Sequence, residues 1–255
     1  MSRKKMVDGE TTKKDTSPKV AQREKISYDL IIKERTDLTD KQKQYLNIIT
    51  DKKTRVVFLR GPAGVSKTFI GVLGLLRLLQ SKRISDIFYI RSIAESASKS
   101  LGSLPGGMDD KLEPFLMPLL DKLHELLPKA QSDRLLKDER IHGLPINYLR
   151  GASMSGVGLL LDEGQNLSVK EIITLITRIG EFSKFILVGD PMQSDINGHS
   201  GFNTFFDLFN DDISRENGIY CLEFDKEDIV RSGVLKFILE KIESRPTEVW
   251  KPGVK

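Results

Sequence analysis

The chain has 255 residues, 39% of them hydrophobic and 30% charged, an ordinary globular composition with room for one α/β-sized domain or two small ones. No stretch approaches the roughly 18 to 20 consecutive apolar residues that a membrane span requires, and the N-terminal MSRKKMVDGETTKKDTS lacks the apolar centre of a signal peptide. A soluble, cytoplasmic protein with no membrane partner is expected.

The formal charge of +4 is concentrated at the start, where residues 1–25 carry eight Lys or Arg against four Asp or Glu. With few aromatics and no apolar period, that segment is predicted to be a disordered basic arm serving either solubility or RNA contact. Residues 26–243 alternate short β-branched or aromatic runs with helical patterns. This is the signature of βαβ units, and predicts one α/β domain built on a mainly parallel five-stranded sheet with helices on both faces. The predicted strands are 54–59, 87–90, 157–161, 185–188 and 220–224. Residues 68–79 (TFIGVLGLLRLL) are apolar on nearly every side, as in a helix buried against such a sheet. Residues 110–127 and 168–179 have ordinary helical periodicity, the latter opened by Ser168 as N-cap with Glu171 three residues on. The polar stretch 129–147 is left without an assigned element. Cys221, the single cysteine, precludes an internal disulfide, and its place in IYCLEF predicts inert core packing. Residues 244–255 read as a second tail, whose Trp250 docks on the body, meets a neighbouring subunit or is exposed.

The chemistry begins where RVVFLR runs into Gly61, Pro62, Ala63, Gly64, Val65, Ser66, Lys67 and Thr68 and then into the buried helix. Strand, small-residue loop, Lys-Thr and helix are the parts of a phosphate cradle. Backbone N–H groups and the helix N-terminus surround an anion, Lys67 reaches the β/γ oxygens, and Thr68 offers a hydroxyl to Mg²⁺. Ser66 stands where glycine is usual; if the loop needs positive φ there, the serine costs on the order of 1–2 kcal/mol. The third strand ends abruptly in Asp162-Glu163. Asp162 is suited to the Mg²⁺ shell and Glu163 to orienting and deprotonating water. The fourth strand leads into Gly189-Asp190-Pro191-Met192-Gln193, placing Gln193 where an open α/β sheet binds its ligand, within reach of a γ-phosphate or the attacking water.

GPAGVSKT, LLLDEGQN and VGDPMQ, in this order, resemble the Walker A, Walker B and motif III set of superfamily 1 helicases. The segments LTDKQKQYLNII, KSLGSLPGGMDDKLEPFLMPLLDKL, LRGASMSGVGLLLDEGQN, TRIGEFSKFILVGD and DIVRSGVLKFI resemble more particularly the PhoH family of RecA-like P-loop ATPases, which bacteriophages also carry. The likeness covers about residues 38–242. It implies a RecA-like P-loop NTPase fold, ATP and Mg²⁺ as cofactors, and an RNA or single-stranded DNA partner. By the same resemblance Gln42 reads the adenine edge, Gln165 couples nucleotide to nucleic acid, and Arg231 is an arginine finger or else a solvated charge. Tyr45 is suited equally to nucleotide contact and core packing. The role of Arg178 is open, and Gly164 stands where alanine is common. Arg91 and Lys99 are candidate nucleic-acid contacts.

Superfamily 1 helicases close the ATP site between two RecA-like domains, and this sequence has room for one. Arg231 must therefore act from a neighbouring subunit, for which the resemblance suggests a hexameric ring, or from its own chain folded back. The leading reading is an oligomeric, helicase- or translocase-like ATPase acting on RNA or single-stranded DNA. The alternative is a slow nucleotide-gated binding switch. A nuclease has little support, because the acidic cluster is committed to Mg-ATP.

Overall fold

A computed structural model describes residues 23–92, 108–143, 146, 154–194, 196, 200–230 and 233–244. Lys99, Arg231, Trp250 and residues 1–22 of the expected arm lie outside the described residues. At the described edge of that arm, Arg23 donates to Asp86 Oδ1 (3.3 Å) and to the Glu139 carbonyl (2.7 Å), and Ile26 is buried.

Five of the six strands observed match the expected ones to within two residues: β1 (Val56–Arg60), β2 (Ile87–Arg91), β4 (Gly158–Asp162), β5 (Lys184–Gly189) and β6 (Ile219–Glu223). The sixth, β3 (Ile141–Gly143), corrects the expected count of five and lies in the stretch left unassigned, as does helix α4 (Lys129–Lys137). β3 is only three residues long and is held by parallel pairing to β2, so hydrophobic alternation has no length over which to reveal it. The sheet order is β3-β2-β4-β5-β1-β6, and every pairing is parallel. β5 therefore lies between β1, which leads into the phosphate loop, and β4, which ends in the acids.

Strand side chains alternate between two cores. Val57, Leu59, Tyr89, Leu160 and Ile186 face α1 (Asp40–Thr50), α2 (Lys67–Gln80), α3 (Met108–Leu126) and α4. Phe58, Phe88, Leu159, Leu161 and Leu187 face α5 (Val169–Ile176) and α6 (Gly201–Leu208). Capping fixes the starts of α1 and α5. Thr39 and Gln42 form a reciprocal box, and so do Ser168 and Glu171, as the sequence predicts for the second. α2 is buried nearly all round, and its glycines admit its neighbours. A Cβ on Gly71 would lie 2.9 Å from Leu160, and one on Gly74 would lie 2.5 Å from Ile49 of α1. Gly158, at the start of β4, is similarly enclosed, with Leu75 and Ile84 at 2.6 and 2.7 Å from where its Cβ would stand. α7 (Asp212–Glu216) leads into β6, whose Cys221 is partly buried with its thiol donating to the Phe206 carbonyl; burial pushes that thiol up to about 12. α8 (Gly233–Glu243) follows, with Val234, Phe237 and Ile238 exposed.

Candidate nucleotide site

The loop from Gly61 to Ser66 turns at three positive-φ positions: Gly61 (+157°), Gly64 (+90°) and Ser66 (+66°). Ser66 thus occupies the left-handed conformation that its glycine-like position implied. It is the N-cap of α2, and its side chain makes no capping bond, so the first turn presents its backbone donors towards the loop. Lys67 opens the helix, and its ammonium donates to the carbonyls of Gly61 and Pro62, each at 2.7 Å. Burial lowers the Lys67 pKa, against the opposing pull of Asp190, Asp162 and Glu163. A desolvated cation held by neutral carbonyls gains when a polyanion approaches.

Asp162 terminates β4 beside this loop. Its Oδ1 accepts from the Thr68 hydroxyl at 3.0 Å and its Oδ2 from the Tyr89 hydroxyl at 2.8 Å. Burial and the adjoining carboxylate hold the Tyr89 phenol well above its ordinary range, so it stays a donor. Glu163 then takes φ +56°. That left-handed turn breaks the strand's alternation and brings two consecutive carboxylates into one cavity. Glu163 Oε2 accepts from Gln165 Nε2 at 2.7 Å, and its Oε1 lies 3.8 Å from Arg91. Arg91, expected to contact nucleic acid, therefore points to the same cavity as Lys67, because strand register sets it directly opposite Asp162.

β5 delivers the third group. Asp190 is buried, which raises its pKa, and it caps a short 3-10 turn by accepting from the Met192 N–H at 3.0 Å. Gln193 ends that turn, exposed at the cavity rim. Buried Gln165 ties the strand ends together: its Nε2 serves Glu163, and its Oε1 accepts from the Asp190 N–H at 3.0 Å. Tyr89 and Asp190 were not singled out from the sequence. The position of Asp190 beside the expected Gln193 was the available signal for it.

A cavity of about 540 Å³ at the C-terminal edge of the sheet is lined by Ala63, Gly64, Ser66, Lys67, Thr68, Asp162, Glu163 and Gln193 among others. With Gln165 and Arg91, which also line it, ten of the expected residues are thus brought together. Val65 and Gln42 lie behind the loop. Val65 is buried, and Gln42, 1% exposed, donates to the Val65 carbonyl (3.3 Å) and accepts from the Thr39 N–H (3.0 Å). Each end of the Gln42 amide makes one bond within the protein, which ties α1 to the loop. Tyr45 packs in the core against Phe224, its hydroxyl on the Glu223 carbonyl at 2.6 Å. A Cβ on Gly164 would meet Phe202 and the Val188 carbonyl at 3.0 Å, a tight fit that those neighbours would have to ease. Val230, the neighbour of Arg231, donates its N–H to Gly64 at 3.4 Å and lines the cavity.

The parallel sheet, the loop wrapped on a helix N-terminus and the paired acids on a neighbouring strand define a P-loop NTPase. The model of the PhoH-like protein family matches residues 33–243, and the chain belongs to that family. It is similar to the PhoH-like protein of Bacillus subtilis, with 33% identity over 199 residues, 78% of this chain and 61% of that one. It is also similar to Protein PhoH of Escherichia coli K12, with 30% identity over 197 residues, 76% and 54% of the two chains. The aligned part thus spans little more than half the length of these relatives. A solved structure described as the basis for DNA unwinding by two coordinating Pif1 helicases aligns over 74% of this chain and 44% of its own, with 14% identity and a TM-score of 0.32. No helix among the described residues is long and apolar enough to cross a membrane.

Proposed function

We propose that this protein binds and hydrolyses ATP with Mg²⁺ and couples turnover to RNA or single-stranded DNA as an oligomer, a hexameric ring being the closed arrangement the resemblance favours. One observation carries the reading. Thr68 on the phosphate loop and Asp162 on β4, 94 residues apart in sequence, meet at 3.0 Å in the cavity that also holds Lys67 and Glu163.

Two hard oxygen donors suit Mg²⁺, which takes few protein ligands and fills its shell with water and phosphate. Thr68 and Asp162 would hold it, and bound there it supplies neutralisation of phosphate charge. Lys67 exchanges its carbonyl partners for β/γ oxygens. Glu163, steadied by Gln165, orients the attacking water and takes its proton, while Gln193 at the rim meets the γ-phosphate. Arg231 supplies the remaining positive charge. The Val230–Gly64 bond brings its chain neighbour to the loop within one subunit, so a finger in cis competes with one from an adjacent subunit.

The test is ATP turnover by wild type, Lys67→Ala and Glu163→Gln, with and without single-stranded RNA and DNA. Turnover stimulated by either polymer and lost in both variants supports the proposal. Slow turnover indifferent to polymer favours a nucleotide-gated switch, and equal ATP affinity in Lys67→Ala and wild type refutes the cradle assignment.

A further inference from the structure

A second cavity of about 540 Å³ opens at the opposite edge of the sheet, lined by Lys25, Lys52, Thr54, Arg55, Leu78, Arg83, Ile84, Phe182, Ser183 and Lys184. Five of these side chains are cationic, and none is a carboxylate. Lys184 is 4% exposed, and its ammonium donates to the backbone carbonyls of Asp51 (2.8 Å) and Thr54. Arg83 is bonded to the Thr50 and Asp51 carbonyls, and Arg55 to those of Ser183 and Gly180. Lys25 donates to the Arg83 carbonyl. Carbonyls hold these cations in place without neutralising them, and none of the five has an ion pair among the described residues. The charge of Asp51 acts on Lys184 and that of Asp86 on Lys25, and Asp86 is already engaged by Arg23, Arg140 and His142.

Such an arrangement is costly for the fold alone. Lys184 is buried, Lys25, Arg55 and Arg83 are half-buried and Lys52 is exposed; like charges gathered at one cavity repel, and the buried ammonium loses its hydration. Burial, with Arg83 and Arg55 beside it, pulls Lys184 down to about 7; the two arginines have no such escape. A second, independent feature is the hydroxyl of Thr54. Thr54 lines the cavity at 1% exposure, and its Oγ1 has no hydrogen-bond partner among the described residues. At the rim Phe182 is 67% exposed on a backbone of φ +59°, a large aromatic surface held outward at the expense of strain.

We propose that this cavity binds a phosphate group, its charge met by the Lys25, Lys52, Arg55 and Arg83 cluster and its oxygen by the Thr54 hydroxyl, with Phe182 placed to stack an attached base. The site is separate from the nucleotide cavity. β1 runs from Val56, next to Arg55 at this edge, to the phosphate loop at the other, about 17 Å over five residues. The phosphate belongs either to a single-stranded polynucleotide or to a free phosphate compound, and the two are separable by experiment.

Binding is measured on the full chain carrying Lys67→Ala, which removes the ATP cradle from the readout, so that failure here is distinct from failure of the ATPase assignment. The probes are fluorescein-labelled 12-nucleotide oligo(U) and oligo(dT), titrated over a range of salt, and inorganic pyrophosphate by calorimetry. Lys25→Ala with Lys52→Ala is expected to weaken binding on the order of 10-fold. For a polynucleotide it should also flatten the log–log salt dependence by about 1.4, near 0.7 per lost contact on a single strand. Phe182→Gly is expected to weaken the oligonucleotides roughly 5-fold or more and leave pyrophosphate unchanged. That pattern assigns a polynucleotide. Pyrophosphate affinity that depends on the two lysines, with oligonucleotide binding indifferent to them and to Phe182, assigns a free phosphate compound. If neither probe moves more than twofold in either variant, with folding verified by thermal unfolding, the proposal is overturned.

Discussion

Replacing Ser66 with glycine removes a hydroxymethyl group from a backbone held at φ +66° and ψ +29°. A non-glycine residue in that conformation costs about 1–2 kcal/mol. Glycine returns part of the gain, because it loses more freedom on folding, by roughly 0.5–1 kcal/mol. The net expectation is a stabilisation of about 0.5–1 kcal/mol, and for a domain of this size a rise in Tm of roughly 1–4 °C. The serine side chain makes no capping bond that would be lost, so ATP turnover should hold or increase. Thermal unfolding and steady-state turnover of wild type, Ser66→Gly and Ser66→Ala separate the causes. Ser66→Ala keeps the Cβ and the strain, and should behave like wild type. If both variants lose stability or activity together, the hydroxyl has a role that the backbone argument misses, and the strain account fails.

Lys67→Ala should abolish ATP binding, whereas Glu163→Gln should bind ATP and lose turnover by about 10²- to 10⁴-fold, both read by nucleotide titration and single-turnover assays. Tyr89→Phe should leave Asp162 Oδ2 without its donor; it should cost about 1–3 kcal/mol in chemical denaturation and alter the Mg²⁺ concentration that half-supports turnover. Arg231→Ala should retain ATP affinity and hydrolyse poorly. Activity regained on mixing it with Lys67→Ala chains indicates a finger in trans, while no recovery, with subunit exchange verified, indicates one in cis or none. Lys184 is lowered from an ordinary 10.5 to about 7, so the fold favours its neutral form. Its contribution to stability is greatest above the unfolded value, declines as pH falls, and bottoms out below about 7. Unfolding free energies of wild type should therefore rise relative to Lys184→Met between pH 7 and 9.5, and a constant difference would refute the shift.

The parts of this molecule with long or chemically marked signals were legible in advance. α2, the Ser168–Glu171 box and the cradle residues were found from apolar period, capping chemistry and spacing. What escaped depends on neighbours distant in sequence. Whether Arg91 meets solvent or Glu163 is decided by its pairing opposite Asp162, and IFYIR contains no record of that partner. Tyr89 reads as one more core aromatic until its hydroxyl reaches Asp162. Gln42 has a local reason to be where it is, the Thr39 box, as well as a distant one, the Val65 carbonyl. The cationic cavity draws lysines and arginines from four separate segments, each of which alone looks like a solvated surface.

The enclosure of Gly158 reaches as far as the reacting end of β4. Sliding that strand by two residues would leave every inward side chain inward, so hydrophobic patterning is blind to the error. It would nonetheless displace Asp162 by about 6.6 Å along the sheet and part it from Thr68 altogether. Against such a slip, Leu160 would have to displace the side-chain ends of Leu75 and Ile84, which stand 2.6 and 2.7 Å from where a Cβ on Gly158 would lie. A small residue at the start of β4 thus lets Leu75 and Ile84 close over the same strand that ends in Asp162.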